Sequence, residues 1–178
     1  EQLTNEMVQE RLIDYFDTHF GSQTAGYQLT DLTGDGYDDL VVTSTVVEED
    51  GVTGRCDSVF VYTDDAVCKA DERIYSETRR GGLRIFKKDD RCYLQEVVYQ
   101  TEADSCQAEM QLFSLEKGET GYVRRVIENV SRTLPDQNGE KYEEFKNTCN
   151  EVLAPYTLLY DFDQMSDGER PEEPQTTE

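Results

Sequence analysis

The sequence predicts an α+β domain, an antiparallel β-meander sheet flanked by an N-terminal and a C-terminal helix. Three observations lead there. Apolar residues recur at helical spacing near both ends of the chain, and eight short strand-like runs lie between them. No link between neighbouring runs is long enough to hold a crossover helix, so the strands must pair mainly antiparallel. The first helix spans residues 5–20, where Leu3, Met7, Val8, Leu12, Tyr15, Phe16 and Phe20 form one stripe. Thr4 is placed to cap it, Leu3 and Val8 to staple its entry, and Gly21 to end it.

The strand-like runs are 26–30, 39–47, 57–63, 66–70, 82–87, 91–99, 107–115 and 121–127. Most are bounded by turn chemistry such as Asp64-Asp65, Lys88-Asp89-Asp90 and Lys117-Gly118-Glu119. Residues 48–55 form a polar, Gly-containing loop expected to fold back over the loop that precedes the second strand. Pro135-Asp136-Gln137-Asn138-Gly139 ends the sheet pattern. A second helix follows over 139–153 on Tyr142, Phe145, Cys149, Val152 and Leu153, and Pro155 stops it. Residues 1–160 thus read as one domain. Residues 161–178, acidic and proline-containing, read as a disordered tail or linker.

Charge narrows the function. Thirty-nine acids against 17 bases give a net charge of −22, with a pI near 4.2. Such a chain repels nucleic-acid phosphates and anionic membrane surfaces, and favours divalent cations. No apolar run approaches the roughly 20 residues of a membrane helix, so no direct membrane insertion is expected. No signal peptide is seen, and the chain starts at Glu1 without Met, which reads as a mature product trimmed of whatever came before.

The most informative stretch is 31–39, Asp-Leu-Thr-Gly-Asp-Gly-Tyr-Asp-Asp. Oxygen ligands recur at alternate positions: Asp31, Thr33, Asp35, the carbonyl of Tyr37, and Asp39. Calcium takes six to eight oxygens at about 2.3–2.6 Å, and a tight loop offers them by turning every second residue inward. Gly34 and Gly36 permit that turn. An Asx-rich turn before a strand would need neither three carboxylates nor their period of two. In the tail, Asp161, Asp163 and Asp167 lack the Gly-Asp-Gly turn and make a much poorer cation site.

Residues 27–42, Tyr-Gln-Leu-Thr-Asp-Leu-Thr-Gly-Asp-Gly-Tyr-Asp-Asp-Leu-Val-Val, resemble the calcium motif of FG-GAP/VCBS-type repeats. They are also similar to the EF-hand-like Asp-x-Asn-Gly-Asp-Gly-x-x-Glu-Leu loop of secreted proteins and lipoproteins of anaerobic gut Gram-positive bacteria. The resemblance implies Asp31, Thr33, Asp35, Tyr37 and Asp39 as Ca2+ ligands and an extracellular or cell-surface location. Thr33 departs from the family pattern, which has Asn or Asp there, and would be a weaker ligand. The motif occurs once, whereas a propeller needs at least about four blades. A propeller is therefore not expected.

Five cysteines, Cys56, Cys68, Cys92, Cys106 and Cys149, include no Cys-x-x-Cys pair. Cys149 lies on the second helical stripe and reads as a buried free thiol. Cys56 with Cys68 and Cys92 with Cys106 are the simplest disulfide pairings. The one histidine, His19, sits among Tyr15, Phe16 and Phe20 and reads as packing rather than a base. No nucleophile elbow, zinc-protease motif or phosphate-cradling loop is present. Arg79-Arg80-Gly81-Gly82 is the one compact basic spot, read as a solvated turn. Tyr62, Tyr75, Tyr93 and Tyr99 read as sheet-face packing. The expectation is a non-catalytic interaction or accessory module with one structural calcium, meeting a protein or glycan at the cell surface. An extracellular hydrolase using acidic residues is the alternative.

Overall fold

The computed structural model describes residues 2–47, 51, 53–135 and 139–162. Helix α1 (Asn5–Phe20) begins at Thr4, whose Oγ1 accepts the Met7 N–H at 3.2 Å. Four strands follow: β1 (Ala25–Thr30), β2 (Asp39–Val47), β3 (Thr53–Thr63) and β4 (Ala66–Tyr75). They pair antiparallel in chain order as one sheet. Then come β5 (Arg79–Lys88), β6 (Arg91–Thr101), β7 (Cys106–Lys117), β8 (Tyr122–Leu134), helix α2 (Glu140–Leu153) and β9 (Thr157–Asp161). These five strands form a second antiparallel sheet in the order β8-β7-β6-β5-β9.

The expected α+β layout with one meander sheet is therefore wrong. Among the described residues the protein is mostly β, 56% strand against 20% helix, in two antiparallel sheets. Apolar clusters show how the layers stack. Val8, Leu12 and Phe16 of α1 pack on Tyr27, Leu40, Val42 and Phe60 of the first sheet. The opposite face of that sheet offers Val41 and Val59 to Leu83, Ile85, Leu94, Phe113 and Leu115 of the second. Phe145, Cys149 and Leu153 of α2 cover the far face of the second sheet at Phe86, Ala108, Met110 and Leu112. The two helices thus lie on opposite outer faces.

The reason is in the strands themselves. Leu40-Val41-Val42 and Val59-Phe60-Val61 of the first sheet and Leu112-Phe113-Ser114-Leu115 of the second are buried at successive positions, so each sheet has two faces to cover. Helices on one face of a single sheet would leave the other face in water. The chain passes between sheets at Tyr75–Arg79, where Ser76 N donates to Arg79 O at 2.9 Å. Beyond this tight link β5 runs on without pairing with β4. Gly81 permits the close passage: a Cβ there would lie 2.4 Å from the Val97 carbonyl and 2.8 Å from the Tyr75 ring.

The space between the sheets also holds charge. Asp57, fully buried on β3, accepts Thr43 Oγ1 at 2.7 Å and Leu83 N at 2.9 Å. Arg55 grips both its oxygens through Nε and Nη2 at 2.8 and 2.7 Å. Because Leu83 belongs to β5, this carboxylate ties one sheet to the other. Further along, Arg124 of β8 makes a two-pronged bond to Asp71 of β4 at 2.8 Å each and reaches Glu96 of β6 at 2.9 Å. Glu96 also accepts the Tyr75 hydroxyl at 2.7 Å. Arg73 Nε stands 3.5 Å from Glu96, an ion pair without hydrogen-bond alignment. Burial works against the Arg124 cation, but Asp71 and Glu96 outweigh it and raise its pKa. Burial, with the Glu96 charge behind it, holds the Tyr75 hydroxyl above its ordinary pKa.

None of the five cysteines is joined to another in a disulfide. Cys92 lies in the inter-sheet cluster while Cys106 faces α2, so the sheet stands between them. Cys56 pairs across from Ile74, and Cys68 from Val61. Five residues of strand, about 3.3 Å each, separate Cys56 from the position opposite Cys68. A disulfide needs Cα atoms within about 7 Å. Cys149 is buried on α2 as expected, with burial pushing its thiol up to about 11. His19 stacks on Tyr15 with ring centroids 3.9 Å apart, which is packing. Strand β9 is absent from the sequence reading. Phe162, just past it, is buried between the sheets, whereas the predicted tail from 163 onward lies outside the described residues. Residues 48–50 and 52 of the predicted polar loop also lie outside them, and β3 begins at Thr53. No helix among the described residues is long and apolar enough to cross a membrane.

Replacing Asp57 by Ala leaves Leu83 N, Thr43 and the Arg55 fork without their shared acceptor. Removing one partner of such a buried pair costs about 3–5 kcal/mol. Urea unfolding of Asp57→Ala should show a loss of that size, and a loss under about 1 kcal/mol would refute the inter-sheet tie.

Candidate metal centre

Strands β1 and β2 pair from Ala25–Ser44 to Thr30–Asp39, so residues 31–38 close a hairpin whose last pair includes Asp39. Leu32 is buried and packs between the sheets, which pins the loop's start. Gly34 and Gly36 adopt φ of 79° and 89°, the left-handed region where a Cβ is strained. Helix α1 holds the other side. Asn5 and Gln9 both donate to Asp38 Oδ2, at 3.4 and 2.6 Å, and Asn5 Oδ1 accepts Asp38 N at 2.8 Å. The Tyr37 hydroxyl donates to Leu3 O at 3.3 Å, so that side chain faces the helix.

Within this frame the five predicted ligands have distinct settings. Asp31, half-buried, accepts Gly34 N and Gly36 N at 2.8 and 2.9 Å through its two oxygens. Asp35, exposed, accepts Tyr37 N at 2.9 Å. Asp39 is 1% exposed and its Oδ2 accepts Leu32 N and Thr33 N at 2.7 and 3.1 Å. The remaining Asp39 oxygen, Oδ1, is buried without a hydrogen-bond partner, and so is Thr33 Oγ1. Buried polar atoms are nearly always paired, so two orphaned oxygens in one loop call for a partner. Both can accept, and a cation would satisfy them.

The loop's electrostatics point the same way. Burial raises the Asp39 carboxyl to about 8, Leu32 N–H opposes this, and the Asp35 and Asp31 charges push it further up. Those two carboxylates therefore bear directly on Asp39. Tyr122, at the start of β8, also has its pKa raised, first by burial and then by Asp39 and Asp35, with Thr63 opposing. The loop accordingly sits where both sheets meet. Even so, no three His, Cys, Asp or Glu side chains among the described residues are gathered closely enough to hold a metal. The loop is closed by carboxylate-to-backbone bonds, and an ion would compete with them for Asp31 and Asp35. The donor set fits calcium in kind, all oxygen with one backbone carbonyl.

Sequence reasoning missed the Asp38 clamp, although Asn5 and Gln9 are four apart on one helix face. It also missed Asp57, although Asp57, Val59 and Val61 alternate on β3 and must share a face. The proposed partners in the tail, Asp163 and Asp167, lie outside the described residues.

A carboxyl whose folded pKa is raised contributes stability below its unfolded value, 3.8, and loses it as pH climbs through about 8. In chelator, the melting temperature should therefore fall between pH 5 and pH 9, and Asp39→Asn should flatten that fall. Parallel curves for the two proteins would contradict the assignment. No protein-family model, curated protein or solved structure matches the chain, so the centre rests on its own geometry.

Proposed function

We propose that this chain is a non-catalytic module of a secreted or cell-surface protein, stabilised by one calcium ion in the 31–39 loop. The observation that carries this reading is the pair of buried, unpartnered oxygens, Asp39 Oδ1 and Thr33 Oγ1, set beside Asp31 and Asp35. When bound, calcium supplies a positive charge that lets three neighbouring carboxylates coexist ionised. Asp31, Asp35 and Asp39 would ligate through carboxylates, Thr33 through its hydroxyl, and Tyr37 through its carbonyl. Asn5 and Gln9 of α1 and Leu3 just before it brace the loop, and Leu32 anchors it between the sheets. An ion here therefore reinforces the junction of β1 with β2. Calcium supply favours an extracellular setting. The absence of a disulfide among the five cysteines favours an anoxic one, in keeping with the gut-bacterial resemblance of the motif. A protein or glycan at the cell surface is the partner class.

A groove of about 570 Å3 lined by Glu77, Glu102 and Asp104 is the larger of two described hollows that carry carboxylates for the hydrolase alternative. All three are exposed. A general acid at neutral pH needs a carboxyl lifted by desolvation, and an open groove does not provide it. The buried acids Asp57 and Glu96 are committed to Arg55 and Arg124. These points favour the module.

Free calcium at a hundred times its dissociation constant stabilises a folded protein by about 2.7 kcal/mol. Millimolar calcium should raise the melting temperature of chelator-stripped protein well beyond equimolar magnesium. Asp35→Ala should remove most of that rise. An undiminished calcium response in the variant would sink the assignment.

A further inference from the structure

A cavity of about 500 Å3 lies between α2 and the outer face of the second sheet. Arg55, Arg80, Arg84 and Lys146 line it, and among the described residues no Asp or Glu does. In a chain with 39 acids and 17 bases, that local reversal of sign sets the hollow apart. The cations differ in what already holds them. Arg55 is engaged by Asp57, and Lys146 stands 3.9 Å from Glu143 in a solvent-exposed pair. Arg84 meets a neutral partner, its Nε donating to Gln95 Oε1 at 2.6 Å, while its guanidinium lies over the Phe86 ring at 5.2 Å. Both Arg84 Nη groups are left for another acceptor among the described residues.

Gln95 supplies the second observation. It is wholly buried in the cavity wall, and its Nε2 has no hydrogen-bond partner. The amide orientation is fixed, because turning it over would set two donors face to face at Arg84. An orphaned buried donor beside a guanidinium fork matches an oxyanion, which accepts from both. The rest of the wall is aromatic. Tyr99 lies 5.9 Å from Tyr142 and 6.0 Å from Phe145, ring to ring, giving apolar surface next to the cationic end.

We propose that this cavity binds a small organic anion. A carboxylate or phosphate head meets Arg84 and Gln95 Nε2, and an apolar body rests on Tyr99, Tyr142 and Phe145. Lys146 at the mouth draws the anion in against the acidic surface of the molecule. The site is separate from the 31–39 loop, so it stands or falls without calcium.

Calorimetric titration of the full chain with benzoate and with phenyl phosphate tests this, benzyl alcohol serving as the uncharged control. At least one anion should bind saturably and about tenfold or more tighter than the alcohol. The tighter of the two identifies the head group. Arg84→Met should weaken that anion about tenfold or more. Lys146→Met, at an exposed position that leaves the core intact, should weaken it severalfold and decides the matter if the Arg84 variant does not fold. Binding of neither anion, equal binding of the alcohol, or unchanged affinity in Lys146→Met together with any folded Arg84→Met would overturn the proposal. Asp35→Ala should bind the anion as the native chain does, which keeps this result distinct from any failure of the calcium reading.

Discussion

The buried Asp39 carboxylate is the constraint around which the β1–β2 hairpin end of this protein is organised. One of its oxygens fastens the loop by accepting Leu32 N and Thr33 N, and the other is orphaned. An ionised carboxylate at 1% exposure is costly unless a positive charge answers it. Proton and cation are the two available answers, and the proposed calcium ion is the second of them. Strand β2 starts at the same residue and runs straight through the first sheet. A change at Asp39 is therefore felt in the strand that carries Leu40, Val41 and Val42 into two separate cores.

The same logic, used differently, holds the sheets together. Asp57 and Glu96 are as buried as Asp39, yet each has arginine partners and further donors. Their carboxylates are answered within the protein, so they serve register and stacking rather than ligand binding. Asp57 also stands in for a missing strand at Leu83, whose N–H lies beyond the last paired residue of β9, Asp161 opposite Arg84. The contrast explains why buried acids alone do not mark a site in this chain. The two proposed sites differ in holding buried polar atoms with no answer, Asp39 Oδ1 and Thr33 Oγ1 in one and Gln95 Nε2 in the other.

Much of the local structure was legible. Both helices and eight of the nine strands follow from apolar period, turn residues and caps, because these signals act over a few residues. The stacking was not. A four-residue turn such as Ser76–Arg79 can join paired strands or pass the chain to another sheet, and only Gly81 against Tyr75 hints at the second outcome. The successive buried residues of β2 and β3 carried the real clue, since a sheet apolar on both faces needs two covers. Strand β9 escaped because it is short and follows Pro155 directly. The loop's oxygen groups, proposed as ligands, were legible from their period of two. The cationic cavity was not, since Arg55, Arg84, Gln95 and Lys146 come from four different elements and meet only in the fold.

The most direct test of the account is calorimetric titration of the chelator-stripped protein with calcium at pH 8, with magnesium titrated in parallel. The account predicts one saturable calcium site that magnesium does not reproduce and that Asp39→Ala abolishes. Heats that never saturate, or that are the same for both ions, would mean that calcium merely screens the −22 charge. The loop would then be only a turn that closes β1 onto β2.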